Sequence, residues 1–439
     1  MQQKKVYIET YGCQMNVADS ELVAAMLPDQ KFAISASIEN ADVIIINTCS
    51  VREHAEKKIW NRLQHIHGLK RKNKQLVTGV IGCMAQRLGE EILNHKTVDF
   101  VAGPDAYRSI SGLIEKALQG KKESDTHFSI DENYHNILPK RSDINHISGF
   151  ISITRGCNNF CSYCIVPYTR GRERSRDYTD ILSQAEDLSK NQYREIYLLG
   201  QNVNSYQNNN LNFSALLSLI ADSYPDMRIR FTTSHPKDLT DELIEVIAKY
   251  KNICNHIHLP VQSGSNRILK LMNRRYSREW YLSRVEKIRE LIPGCGLSTD
   301  IFCGFCGETE DDHAETLELL RRVRFDSAFM FKYSGRPGTL AAEKMADDIP
   351  EELKIKRLNE LISLQNKISL QSNKNDIGKL FEVLIENESK RSKDYFSGRT
   401  ETNKTVVFEK DQTQIGQFVT VMITDASSAT LKGKIINHG

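Results

Sequence analysis

The sequence predicts an α/β protein built from three parts, and three observations support this prediction. Strand-like and helical segments alternate through the first third of the chain, which is typical of a doubly wound α/β domain. A second series of six βα units follows a polar segment; it is too short to close an eight-stranded barrel and predicts an open partial (βα)6 barrel. The last stretch alternates apolar and polar residues between turns, as a small β-barrel does.

The N-terminal domain is expected to span residues 1–125. Its continuous aliphatic run at 43–47 is typical of a buried parallel strand. The predicted strands lie at 6–10, 43–47, 76–81 and 98–102, with helices at about 17–27, 51–63 and 86–93. The polar segment at 120–146 is interpreted as a linker or hairpin between two domains.

The central domain is expected at 145–372 and the C-terminal β-barrel at 375–439. Central strands are predicted at 150–153, 195–199, 228–232, 256–259, 296–302 and 328–333, and helices at 179–190, 240–250, 277–291 and 310–323 among others. A long charged helix at 351–371 leads to predicted strands at 381–385, 406–408, 418–423 and 429–436. The terminal barrel is near the lower size limit for independent folding.

The composition narrows the class of protein. Hydrophobic residues make up 40% and charged residues 26% of the chain, as in ordinary soluble globular proteins. Because the aliphatic runs are too short for a transmembrane helix and no signal-peptide region is evident, we expect no membrane partner and a cytoplasmic location. The net charge of +3 neither requires nor excludes a nucleic-acid partner, and the ten cysteines favour metal binding over disulfides.

The central cysteine triad, Cys157, Cys161 and Cys164, directly follows the first predicted strand of the central domain. Thiolates are the usual ligands of iron–sulfur clusters and also bind zinc. A structural zinc site closes its tetrahedron with a second ligand pair, and no such pair lies nearby in the sequence. Three ligands on a four-iron cluster leave one iron with an open position, so we expect a reactive cluster; structural zinc or three core cysteines is the alternative.

The N-terminal triad consists of Cys13, Cys49 and Cys83, each just after the carboxyl end of a predicted strand. In an open parallel sheet the ligand site lies at this edge, so the three thiols are expected to lie close together. Gly12 and Gly82 would let the backbone approach a cluster closely. The alternative is three separate buried cysteines.

These motifs resemble those of the radical S-adenosylmethionine methylthiotransferase family. The resemblance rests on Cys-x3-Cys-x2-Cys in Arg-Gly-Cys-Asn-Asn-Phe-Cys-Ser-Tyr-Cys-Ile-Val-Pro at 155–167, on Tyr-Gly-Cys-Gln-Met-Asn at 11–16, on Asn-Thr-Cys-Ser-Val-Arg-Glu at 47–53, on Gly-Cys-Met-Ala-Gln at 82–86 and on Tyr-Ser-Gly-Arg-Pro-Gly-Thr at 333–339. The Gln-Met-Asn and Ser-Val-Arg-Glu segments are most similar to the branch that modifies isopentenyladenosine in tRNA. The terminal barrel resembles the TRAM module, which implies RNA binding.

The resemblance implies two [4Fe-4S] clusters and two uses of S-adenosylmethionine. One molecule donates a methyl group to sulfur at the N-terminal cluster. A second, bound at the central cluster, yields a 5′-deoxyadenosyl radical that removes hydrogen from C2 of the isopentenylated adenosine at position 37, next to the anticodon. We therefore nominate no acid–base catalytic residue, and we expect a monomer that receives electrons from a donor such as flavodoxin or ferredoxin.

Cofactor contacts are expected at the ends of the central strands. The candidates are Tyr163, Gln201, Asn202, Gln262, Ser263 and Asp300. Each could instead be a loop cap.

RNA contacts are expected from two basic clusters and the terminal barrel. The clusters are Arg170, Arg172, Arg174 and Arg176 after the cysteine loop, and Lys70, Arg71, Lys72 and Lys74. A basic run is more often simply a solvated face.

Two features leave room for other interpretations. Cys306 stands where the family usually has proline, and with Cys303 it forms a Cys-x-x-Cys pair that we interpret as structural, as we do Cys254 and Cys295. The rival functions are a methylthiotransferase acting on a ribosomal-protein side chain and a non-catalytic iron–sulfur RNA-binding protein.

Overall fold

A computed structural model describes residues 3–50, 53–143 and 145–438. The N-terminal part forms a six-stranded sheet in the order β2-β1-β3-β4-β5-β6, and all of its pairings are parallel. Its elements are β1 (Lys4–Thr10), α1 (Gln14–Met26), β2 (Phe32–Ile34), β3 (Val43–Thr48), α2 (Glu53–Lys72), β4 (Val77–Gly82), α3 (Cys83–Leu93), β5 (Phe100–Ala102), α4 (Ile110–Leu118) and β6 (Glu123–Asp125).

The doubly wound prediction is confirmed, because helices cover both faces of this sheet. One core packs around Leu22 and Leu113 of α1 and α4, and the other around Ile59 and Leu63 of α2. Strand β3 is buried along its whole length, as its aliphatic run predicted. The interpretation of 120–146 as a linker or hairpin was incomplete, since β6 within it extends the sheet in parallel beside β5.

The central part contains two three-stranded parallel sheets, β7-β10-β13 and β14-β15-β16, connected by a parallel bridge between Ile229 and Ile253. These six strands and their helices surround one large core, the open arrangement that six βα units predict. The elements are β7 (Ser148–Ser152), β8 (Thr154–Arg155), α5 (Val166–Arg170), β9 (Arg174–Ser175), α6 (Tyr178–Lys190), β10 (Glu195–Leu199), β11 (Gln207–Asn208), β12 (Leu211–Asn212), α7 (Phe213–Ser223), β13 (Arg228–Thr232), α8 (Asp241–Lys249), β14 (His256–His258), α9 (Asn266–Leu271), α10 (Arg278–Leu291), β15 (Gly296–Cys303), α11 (Glu310–Val323), β16 (Ser327–Lys332), α12 (Leu340–Lys344) and α13 (Glu351–Lys374).

The C-terminal part is a closed five-stranded barrel in the order β17-β18-β19-β21-β20. Its strands are β17 (Leu380–Ser389), β18 (Ser392–Thr400), β19 (Thr405–Glu409), β20 (Phe418–Ala426) and β21 (Leu431–His438). Val383, Val406, Phe408 and Val421 fill its core. The sequence predicted four of these strands and missed β18.

The barrel packs against the amino ends of the central strands. Arg230, on β13, pairs with Glu195 at 2.5 Å and donates from Nη2 to the carbonyl of Thr400 at 2.8 Å. A Cβ on Gly296, the first residue of β15, would lie 2.5 Å from the carbonyl oxygen of Thr402. This end of the partial barrel is therefore closed, and the carboxyl ends of the strands are left for a site. Within the described ranges no helix is long and apolar enough to cross a bilayer.

Candidate active site

The N-terminal triad lies at one edge of the first sheet. Strands β1, β3 and β4 are neighbours, with Thr10 opposite Asn47 and Thr48 opposite Gly82, so they end side by side. Cys13 is the N-cap of α1, Cys49 directly follows β3 and Cys83 is the first residue of α3. Two of the thiols thus occupy helix N-termini, where the backbone dipoles stabilise thiolate and other negative charge.

Glycine and asparagine residues hold these loops against one another. Gly12 has φ +121°, and a Cβ there would lie 2.5 Å from the Cβ of Cys49. The side chain of Asn16 donates to the carbonyls of Tyr11 at 3.0 Å and Thr48 at 2.9 Å, which ties the Cys13 loop to the Cys49 loop. The close approach leaves no room for a larger residue between the two cysteines.

The central triad lies in a tight loop after β8. Gly156 has φ +78°, and a Cβ there would lie 2.2 Å from the carbonyl oxygen of Arg172. Burial and the neighbouring Cys161 and Cys157 thiols raise the pKa of Cys164 to about 12. Cys157 and Cys161 are buried and Cys164 is half-buried, so thiolates here need a compensating cation, which iron would supply.

A single metal ion and a multi-iron cluster place different demands on the position of three thiols. Among the residues that the structure describes, no three Cys, His, Asp or Glu side chains are placed to share one metal ion. A zinc site requires its ligands at about 2.3 Å from one centre. In a [4Fe-4S] cluster each cysteine binds a different iron, so the ligands need not converge on one point.

Some of the buried polar atoms without a partner lie near the carboxyl ends of the central strands. In the described chain these include Oγ1 of Thr154 on β8, Oε1 of Gln201 after β10, Oγ of Ser234 and Nε2 of His235 after β13, and Oε1 of Gln262 after β14. Buried polar groups in folded proteins are almost always hydrogen-bonded, so unpaired atoms on successive strand ends fit a polar ligand such as S-adenosylmethionine.

Comparison with known proteins gives matches for all three parts of the chain. The model of the radical SAM superfamily matches residues 151–320, that of uncharacterized protein family UPF0004 matches 5–103, and that of the TRAM domain matches 374–436. A tRNA-2-methylthio-N(6)-dimethylallyladenosine synthase of Bacteroides fragilis is 55% identical, covering 98% of this chain and 95% of the relative. That of Azobacteroides pseudotrichonymphae is 56% identical, covering 98% and 96%.

The chain belongs to this family of tRNA-2-methylthio-N(6)-dimethylallyladenosine synthases. The family resemblance that the motifs suggested is therefore confirmed. A solved structure of the radical S-adenosylmethionine methyltransferase TsrM from Kitasatospora setae has a TM-score of 0.60 over 78% of this chain and 77% of that one, at 13% identity. That likeness shows the fold alone.

Several predicted cofactor contacts in this synthase-family chain have partners within the protein. Asn202 donates to Asp238 at 2.7 Å and accepts from the backbone of His235 at 3.1 Å, as a loop cap does. Ser263 is fully buried and accepts from the backbone of Ser265 at 3.2 Å. Gln201 and Gln262 keep an unpaired oxygen, so they are the better candidates.

Tyr163 contacts strand β15, and Asp300 lies on that strand. The ring of Tyr163 packs on Phe302 with centroids 5.0 Å apart, and its hydroxyl lies 3.4 Å from Nη1 of Arg274. Asp300, on β15, lies 3.5 Å from Nε2 of His258 and keeps 30% of its side chain exposed.

Sequence reasoning missed three residues of this site. Ser234 and His235 follow β13 as Gln201 follows β10, so the strand-end rule would have found them. Arg274 donates to the Sγ of Cys161 at 3.4 Å, and nothing local in the sequence marks it.

The arginine cluster after the cysteine loop is mostly buried, contrary to prediction. Arg170, Arg174 and Arg176 are 3%, 9% and 5% exposed, and Arg174 pairs with Asp105 at 2.8 Å. Guanidinium groups in such interior positions do not form the surface for phosphates that the sequence suggested. Arg172 alone of the four is exposed, with its guanidinium 5.4 Å from the ring of Phe160.

The second basic cluster lies at the end of α2. Lys70 pairs with Asp99, whereas Arg71, Lys72 and Lys74 are exposed.

The Cys303–Cys306 pair is buried in the core. The Sγ of Cys303 lies 3.7 Å from the carbonyl oxygens of Phe331 and Lys354, and burial raises its pKa to about 12. Cys306 packs in an apolar cluster with Phe305. These surroundings fit the structural interpretation.

Proposed function

We propose that the protein adds a methylthio group to C2 of N6-isopentenyladenosine at position 37 of tRNA by radical S-adenosylmethionine chemistry. The observation that carries this proposal is the presence of two three-cysteine sets, each at the carboxyl ends of parallel strands, in a chain matched along its whole length by synthases of this name. One set alone would support radical formation, whereas the second adds a site for sulfur transfer.

Cys157, Cys161 and Cys164 would hold the cluster that binds S-adenosylmethionine, and Cys13, Cys49 and Cys83 the second cluster. When bound, the two clusters would supply the electron for cleavage of S-adenosylmethionine and an iron site for sulfur transfer.

Side chains of the protein itself would bind and orient S-adenosylmethionine. The unpaired oxygens of Gln201, Ser234 and Gln262 would accept from the amino or ribose groups of S-adenosylmethionine. Burial and the nearby Arg274 and Lys237 lower the pKa of His235, so its imidazole is neutral at pH 7. Its Nδ1 accepts from the backbone of Lys237 at 3.3 Å, which leaves Nε2–H as a donor.

For tRNA, the exposed Arg172, Arg71, Lys72 and Lys74 and the terminal barrel are the proposed contacts. A cytoplasmic location, a monomeric state, a flavodoxin or ferredoxin as electron donor, and domain limits at 1–125, 145–372 and 375–439 complete the proposal.

Nucleoside mass spectrometry of tRNA tests this function. Cells without the gene should lack the 2-methylthio group and accumulate isopentenyladenosine. The wild-type gene and a Cys254→Ala variant should restore the modification, since Cys254 is a core thiol outside both sets. A Cys157→Ala variant should not.

Two outcomes would support the rivals instead. Fully modified tRNA in cells without the gene would contradict the tRNA assignment and leave a protein side chain as substrate. Absence of 5′-deoxyadenosine when the reduced, iron-loaded protein meets S-adenosylmethionine would favour a non-catalytic binding protein.

A further inference from the structure

A buried carboxylate of the N-terminal part forms ion pairs with two arginines of the central part. The side chain of Asp19, on α1, is 1% exposed. Its oxygens accept from Nη1 of Arg155 and from Nη2 of Arg170, each at 2.8 Å, and from the hydroxyl of Tyr107 at 3.2 Å. Burial would raise the pKa of Asp19, but the attraction of the two arginines outweighs it and lowers the pKa, so the group is ionised.

These three residues connect the two cysteine sets. Arg155 stands two positions before Cys157, and Arg170 ends α5, the helix that follows Cys164. Asp19 lies on the helix that Cys13 caps. The loop that carries the central set is thus joined to the helix that begins at the N-terminal set.

Arg170 also contacts the N-terminal set directly. Its Nε–H donates to the Sγ of Cys83 at 3.2 Å, and its Nη2 lies 3.4 Å from Oδ1 of Asn16. Asn16 in turn accepts from the Sγ of Cys13 at 3.4 Å. One guanidinium therefore reaches one cysteine directly and a second through an asparagine.

The charged side chains around Asp19 carry a net positive charge. Two arginines share one carboxylate, and Nη1 of Arg170 is buried without a partner. A buried charge that is only partly compensated stabilises a nearby anion. Both net charge and hydrogen bonds to sulfur set the potential of an iron–sulfur cluster.

We propose that Arg170 is a positioning residue of the N-terminal cluster, which its Nε–H bond to Cys83 and its buried charge make easier to reduce. This rests on the proposed function, in which Cys13, Cys49 and Cys83 hold that cluster. The arginine at the other set, Arg274, is held within the central part by the carbonyl of Pro260 at 2.8 Å. Arg170 thus links the redox behaviour of one cluster to the loop that carries the other.

Redox titration of the N-terminal cluster alone tests the proposal. The parent is the full chain with Cys157, Cys161 and Cys164 replaced by alanine, which should bind about four iron atoms. Arg170→Gln and Arg170→Lys are compared in this parent, with Arg321→Gln, at an exposed arginine on α11, as the matched control. Electron paramagnetic resonance follows the reduced cluster, and iron analysis gives its content.

Arg170→Gln should lower the reduced-to-oxidised ratio at a fixed potential tenfold or more, which is a shift of about 59 mV for one electron. Arg170→Lys should shift less, because it keeps the charge but not the planar donor. Arg321→Gln should match the parent.

The failures can be told apart. A parent without iron overturns both the cluster assignment and this inference. A parent with iron whose potential is unchanged in Arg170→Gln overturns the inference alone. If Arg170→Gln loses its iron, the potential of the cluster in Arg170→Lys is measured instead. A lowered potential supports the proposal, and an unchanged potential overturns it. Loss of iron from both variants means that Arg170 only holds the fold together, and this too overturns the proposal.

Discussion

At the scale of single residues, the N-terminal cysteine set depends on positions that carry no functional group. Gly12 and Gly82 have φ of +121° and +93°, which L side chains rarely adopt. A Cβ at either position would lie 2.5 Å from Cys49 or Asn47, respectively. The cysteines can be neighbours only because the residues beside them have no side chain.

Gly12→Ala should therefore separate Cys13 from Cys49 and lower the iron content by about half, since one of two clusters is affected. Strain at positive φ adds a destabilisation of about 1–2 kcal/mol. Iron analysis and thermal unfolding measure the two effects. Gly112→Ala is the control, because Gly112 lies in α4 with nothing near the added methyl group, and this change should stabilise by up to about 1 kcal/mol. Full iron content in Gly12→Ala would contradict this account.

The sequence could predict the cysteines of the site but not the state of the arginines. Each cysteine set follows strand ends, and strand ends are visible as apolar runs. Burial of a charge depends on a distant partner: Arg170 meets Asp19 from 151 positions away, and Arg174 meets Asp105 from 69. A local run of arginines carries no information on such partners, so it was mistaken for a surface.

At the scale of elements, two of the strands that the sequence missed, β18 and β6, have little apolar content. β18 reads Ser-Lys-Asp-Tyr-Phe-Ser-Gly-Arg-Thr, and of its large apolar side chains only Phe396 lies in the barrel core. β6 is Glu-Ser-Asp at the edge of its sheet. Both form because neighbouring strands supply hydrogen bonds, which no pattern within the segment reveals.

The pair of strands β10 and β13 contains a charge pair whose contribution depends on pH. Burial would raise the pKa of Glu195, but the attraction of Arg230 and Arg399 and hydrogen bonds from Arg230 and Ser148 outweigh it, so the pKa is lowered. A carboxyl whose pKa is lower in the folded state stabilises the fold above its ordinary pKa. That stability is lost as the pH falls through the folded-state value.

Glu195→Gln should consequently cost about 3–5 kcal/mol at pH 7, because Arg230 loses its buried counter-charge. The difference from wild type should shrink at pH 4. Urea unfolding of both proteins after removal of iron measures this, with Glu186→Gln as a surface control. An equal difference at the two pH values would rule out the proposed linkage.

At the scale of the whole molecule, the two ends of the central strands have different surroundings. The terminal barrel covers the amino ends, where Arg228 donates to the carbonyl of Arg399 at 3.1 Å and Arg230 to that of Thr400. The carboxyl ends carry the cysteine loop, which meets the N-terminal part through Arg155 and Arg170. The site is therefore enclosed by residues from two of the three parts.

Truncation after Lys374 should destabilise the central part as well as weaken tRNA binding. The buried Arg228 and Arg230 would lose their carbonyl acceptors, each worth about 1 kcal/mol or more. Thermal unfolding and a tRNA binding titration report the two effects. Lys434→Gln, a surface change on the barrel, should leave unfolding unaltered. A truncated protein with the wild-type melting temperature would show that the barrel is only a tether.

The order of the ligands along the chain has a consequence for synthesis. Cys13, Cys49 and Cys83 all precede residue 84, and the strands that carry them are adjacent without help from later residues. A ribosome therefore completes the N-terminal ligand set long before it reaches Arg155 and Arg170. Until those arginines are made, Asp19 lacks both of the guanidinium groups that pair with it in the complete fold.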